Sequence, residues 1–154
     1  MIGHASFFAR AAVKAGDGGR LLTTGRLPIV CARVALGAAF LSAVAARFGV
    51  WDHSPARDRF AAFLRYTAEV NSFMPEWSIP FCAWAATAAE LTLGISLIAG
   101  VWPRAVALAS AALLAIFGTA MAISFGIKSP LDYSVFSASA AALLLAAHQS
   151  RATR

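Results

Sequence analysis

Four apolar stretches, at residues 28–51, 78–102, 105–127 and 132–148, limit what this chain can become more than any motif in it. At ~1.5 Å of rise per residue, the ~30 Å hydrocarbon core of a bilayer takes about 20 helical residues, and the first three stretches reach that length. The third, AVALASAALLAIFGTAMAISFGI, carries no charge. The fourth, DYSVFSASAAALLLAAH, is short and rich in Ser and Ala, so it depends on packing against the others. All four lack turn-separated alternation and are too long for β-barrel staves. Only 13% of the residues are charged, whereas a soluble domain carries about 25%. Too little polar surface is left to face water. The expected fold is therefore all-α, an integral membrane four-helix bundle spanning 28–148, with a basic N-terminal tail (1–27) and a short C-terminal tail (149–154).

The charges that do occur are arranged by side. With the N-terminus inside, the cytoplasmic face collects Arg10, Lys14, Arg20, Arg26, Arg33, Arg104, Arg151 and Arg154 against Asp17 alone. The outer face holds Arg47, Arg57, Arg59, Arg65 and Lys128 against Asp52, Asp58, Glu69, Glu76 and Asp132. The excess of basic residues inside places both termini in the cytoplasm of a multi-pass protein of the inner (plasma) membrane. Trp51, Trp77, Trp102 and Tyr133 fall at span ends, where amphipathic rings favour the headgroup layer. The net charge of +6 does not indicate a nucleic-acid partner, because the basic residues flank apolar runs and form no groove-sized patch. The N-terminal segment is too broken for a secretory signal. It can be a short helix on an anionic membrane surface or a flexible basic tail.

In the outer loop 52–77, Phe60, Phe63, Leu64, Thr67 and Val70 make a helical stripe among charged neighbours. This predicts a short amphipathic helix, started by Ser54 as a cap and Pro55 at the first helical position. The helix is either a plug over the bundle mouth or a lid over a site.

Glu90 sits alone in the second stretch, twelve residues beyond Ser78 and so roughly 18 Å along the helix. An ionised carboxylate at that depth costs on the order of 3 kcal/mol, so it is expected to face the bundle interior. Its stripe, Ala83, Ala86, Thr87, Glu90 and Gly94, is made mostly of small residues that a neighbouring helix can approach. Arg33 and Arg47 lie nearly on one face of the first helix, with Gly37, Phe40 and Val44 between them. If the first two spans run antiparallel, each arginine falls roughly 10–12 Å from Glu90 along the axis. Glu90 is thus a polar pin fixing helix register or a ligand- or proton-handling group, with Arg33 and Arg47 as its charge-balancing candidates. Lys128, Asp132 and Tyr133 surround Pro130 in the last outer loop, which reads as a polar turn or as the rim of an entrance.

Cys31 and Cys82 read as packing residues, and no CxxC pair occurs. His4, His53 and His148 cannot share a haem at matched depth, and no metal-ligand spacing or phosphate loop is present.

Three segments together resemble the DoxX family of small four-span membrane proteins: RVALGAAFLSAVAARF at 33–48, ATAAELTLGISLIAGVWPRAVA at 86–107 and FGIKSPLDYSVFSASAAALLLA at 125–146. Arg33, Glu90 and Arg104 stand at matching positions, and Arg47 stands where many relatives carry Lys. The resemblance implies a subunit, accessory or catalytic, of a quinone-linked membrane oxidoreductase or redox-defence complex, with no covalently bound cofactor. Its expected partners are the lipid bilayer, an oxidoreductase subunit or a second copy of the chain. Glu90 would accept or relay a proton, balanced by Arg33 or Arg47. The alternative is a non-enzymatic scaffold, or a small-solute permeation protein, in which Glu90 is structural.

Overall fold

The computed structural model describes the backbone of residues 4–152 and the side chains of residues 26–149. Among the described residues there is no strand. The helices are α1 (His4–Arg47), α2 (Ala56–Val70), α3 (Ile79–Ala99), α4 (Pro103–Phe125), α5 (Lys128–Asp132) and α6 (Val135–Ala152), with a 3₁₀ turn at Glu76–Ser78 before α3. Three segments are long and apolar enough to cross a membrane, Arg26–Arg47, Glu76–Ala99 and Pro103–Phe125, and Val135–Gln149 is a shorter apolar helix. The all-α membrane fold with a short helix in the first loop is therefore what the chain forms.

The chain separates between Ala32 and Arg33 into two units. In the first, residues 4–32 are helical, including most of the segment expected as a tail, with Pro28 inside the helix. The second, residues 33–154, contains everything that follows. Here α1 stops at Arg47, four residues before the expected end of the stretch, because the amides of Phe48 and Gly49 turn back onto Ala45 and Ala46. The loop helix also starts differently from expectation. Pro55 occupies the cap position, its carbonyl accepting from the amides of Asp58 and Arg59, and Ser54 makes no side-chain cap.

Within this unit α1 and α3 run antiparallel, since Arg33 reaches the last turn of α3 while Arg47 reaches its middle. The helices meet where neither carries a side chain. A Cβ on Gly37 would stand 2.7 Å from Ile98 Cγ1 and 2.8 Å from the Gly94 carbonyl oxygen. Such backbone approach is how helices gain contact when lipid supplies no hydrophobic drive. The α4–α6 seam uses the same device: Ala107, Ser110 and Ala142 are fully buried, and the Ser139 hydroxyl donates across to the Ala111 carbonyl at 2.8 Å.

α3 ends at Gly100, whose left-handed backbone (φ +76°) lets the amides of Gly100 and Val101 both return to the Ser96 carbonyl. The carbonyls of Leu97 and Ile98 then take Arg33, at 2.9 Å from Nε and 3.3 Å from Nη2. A cation there also meets the negative end of the helix dipole. Gly100→Ala would set a Cβ 2.2 Å from Arg33 Nη2 on a backbone that L residues rarely adopt. We expect this variant to lose about 1–3 kcal/mol in chemical denaturation; a stability equal to wild type would remove Arg33 from the role of helix cap.

α2 crosses from α3 to α4. Phe60 packs against Trp84 of α3 at 4.5 Å between ring centroids and against Phe48 at 6.0 Å. At its other end Val70 packs on Ala120 and Met121, and the Ser124 hydroxyl donates to the Val70 carbonyl at 2.6 Å.

Candidate functional site

Glu90 is 3% exposed and faces the inside of the bundle, as its stripe of small residues requires. Ala83, Thr87, Gly94 and Leu97 are buried on the same face of α3. Of the two candidate arginines, Arg47 is the partner: its Nη2 stands 2.7 Å from Glu90 Oε2. The second guanidinium nitrogen, Nη1, donates to Thr87 Oγ1 at 3.0 Å, and Thr87 passes its own hydroxyl hydrogen to the Ala83 carbonyl at 2.8 Å. Phe63 of α2 covers the guanidinium, 3.9 Å from its ring centroid, a cation–π contact that strengthens where water is excluded. One side chain thus ties the end of α1 to α3 and α2.

Glu90 Oε2 is enclosed, and Arg47 Nη2 at 2.7 Å is its charge partner.

Glu90 and Arg47 lie on the wall of a cavity of about 600 Å³ between α2, α3 and α4. Most of the lining is apolar, with Phe63, Leu113, Phe117 and Met121 among it. Besides the ion pair, polar groups reach it from Tyr66, Thr67, Asn71 and Tyr133. The Asn71 amide is held by the Thr67 carbonyl at 2.9 Å. Burial pushes the Tyr66 phenol above its usual range, with Tyr133 and Glu69 adding to the effect. It therefore remains a neutral donor. Apolar walls with a few placed polar groups are the normal make-up of a small-molecule site of this size.

The other sequence-predicted residues are distributed differently. Tyr133 lines the cavity, whereas Lys128 and Asp132 do not; they pair with each other at 2.5 Å along α5 and are largely exposed. Arg33 makes its contacts at the end of α3, about 10 Å along the helix from Glu90. The sequence does not single out Phe63, Tyr66, Asn71, Thr87 or Cys82 as site residues; Cys82 is a free, half-buried thiol on the cavity wall. Thr87 was visible as the residue one turn before Glu90, and Phe63 as part of the loop-helix stripe. Among the described residues no group of His, Cys, Asp and Glu could hold a metal ion.

No curated protein and no solved structure matches the chain. A family model described as methylamine utilisation protein MauE matches residues 25–132, which takes in α2, α3, α4 and α5 as well as residues 25–47 of α1. The comparisons give no DoxX match, so that resemblance holds at the level of a small membrane-protein family. With well over half of its length matched, the chain belongs to the family of the methylamine utilisation protein MauE, a family of membrane proteins.

Proposed function

We propose that this protein is a membrane subunit of a redox system, in which the cavity beside Arg47 and Glu90 takes a quinone or similar amphiphile from the bilayer. The family description adds the setting, methylamine utilisation. The observation that carries the reading is the cavity of about 600 Å³, apolar except for the ion pair on one wall and the phenols and amide on others. This donor set fits a substituted ring with polar atoms at opposite edges and the first part of a tail.

A bound quinone supplies reversible two-electron, two-proton chemistry. This chain's residues do the rest: Tyr66, Tyr133 and Asn71 orient the polar edges, Phe63 and the other apolar walls exclude water, and the Glu90 carboxylate accepts or relays a proton. Arg47 balances that carboxylate, a role Arg33 does not share because it is committed to the end of α3. Electron transfer in this reading belongs to a partner oxidoreductase subunit. The orientation is the one set by the basic residues, with both termini in the cytoplasm and α2 on the outer face.

A second reading has its own support. The 2.7 Å pair and the Thr87 contact would serve equally well as a polar pin in a scaffold without catalytic function. Native purification followed by mass spectrometry of the extract separates the two. We expect quinone to co-purify with wild type and its content to fall about tenfold in Glu90→Gln, where the Arg47 charge on the cavity wall is left unbalanced. Unchanged ligand content accompanied by a lower melting temperature would establish the pin instead.

A further inference from the structure

The ion pair has a consequence for which amphiphiles the cavity accepts. Arg47 and Glu90 cancel each other at 2.7 Å, so the wall presents no net charge. Nor is Arg47 free to receive an anion. Nη1 is committed to Thr87, Nη2 faces Glu90, and Phe63 covers one face of the guanidinium. An incoming carboxylate or phosphate would have to displace Glu90, which is 3% exposed and held among buried residues of α3. It would otherwise stand beside the Glu90 carboxylate, where like charges in a dry site repel strongly. The cavity lining offers no other cation: its remaining polar residues are neutral. A buried anion without a partner is excluded by its desolvation cost.

We infer that the cavity selects neutral amphiphiles and rejects anionic ones, with Glu90 as the residue that sets this selectivity. The inference rests on the reading of the cavity as an amphiphile site and narrows its ligand class. It applies a general device, in which specificity comes from a repulsive element as much as from an attractive one. Glu90 supplies the repulsive element, holding Arg47 and standing against an incoming anion.

The test compares three probes of one tail length, dodecanol, methyl laurate and laurate, by equilibrium binding to the purified full-length protein in nonionic detergent at about pH 8, where a carboxylic acid is ionised. Wild type is expected to bind dodecanol and methyl laurate each at least about tenfold more tightly than laurate. In Glu90→Gln the Arg47 charge is unbalanced, and the dodecanol-to-laurate ratio is expected to move about tenfold or more toward laurate. The double variant Arg47→Gln/Glu90→Gln removes both charges and should lose the gain for laurate. Its packing is independent of the lone cation, so it keeps the test decisive if the single variant fails to fold. Equal affinity of wild type for dodecanol and laurate would overturn the inference, as would a ratio unmoved by either variant. Wild type that binds none of the three would overturn the amphiphile site itself. Binding of dodecanol with no uptake of quinone would overturn only the redox reading.

Discussion

Arg47→Ala is expected to destabilise the folded protein by about 3–5 kcal/mol, the cost of leaving a buried charge without its partner. Arg47 is largely enclosed, and its guanidinium meets Glu90, Thr87 and Phe63 from two other helices. Removing it strands the Glu90 carboxylate in an apolar wall and also deletes the stem that fills the space under α2. The measurement is unfolding in mild detergent, followed by helical circular dichroism. Adding Glu90→Gln to Arg47→Ala should recover part of the loss, because a neutral amide is far less costly to bury than an unpaired carboxylate. A loss below about 1 kcal/mol would mean that the pair behaves as a surface salt bridge, and the enclosed site would have to be given up.

Gly37→Leu attacks the fold at a different point and is expected to cost about 3 kcal/mol, the upper part of the range for overpacking. The added Cβ alone would stand 2.8 Å from the Gly94 carbonyl oxygen, which is backbone and cannot rotate away. α1 must therefore move off α3. That movement carries Arg33 away from the Leu97 and Ile98 carbonyls and Arg47 away from Glu90. The variant should show lower thermal stability and weaker ligand binding together. Full retention of both would mean that the two helices do not approach through this glycine.

Much of this arrangement was legible in the sequence, because the bilayer imposes strict conditions. Lengths of apolar residues gave the spans, and the lone Glu90 had to turn inward for the same reason that the apolar residues could turn outward. Which arginine met it was not legible. Arg33 and Arg47 lay at similar axial distances from Glu90, and the choice depended on where α3 ended. Gly100 closes that helix and exposes carbonyls that Arg33 satisfies, leaving Arg47 for the carboxylate. The cavity was invisible for a related reason: its walls are ordinary apolar residues whose side chains leave a gap only in three dimensions. The start of α2 also departed from expectation, since Ser54 and Pro55 have the composition of a helix entrance without its hydrogen bond. At the family level, a glutamate in a helix of small residues is too common a pattern to distinguish MauE from DoxX.

The two ends of α2 are fastened by different means, and this sets how the helix can swing. Near Val70 a hydroxyl–carbonyl hydrogen bond of 2.6 Å and a Ser72–Ser124 contact of 3.1 Å pin it to α4. Near Phe60 the contacts to α3 and to Phe48 are ring faces, beside a half-exposed Arg59–Asp52 ion pair to the preceding loop. Aromatic surfaces slide over one another with little directional penalty, whereas a stretched hydrogen bond loses its energy steeply. The lowest-energy excursion therefore pivots at residues 70–72, with the Phe60 end as the moving edge. Phe63 travels with that edge, so the first event in the pivot is the uncovering of Arg47.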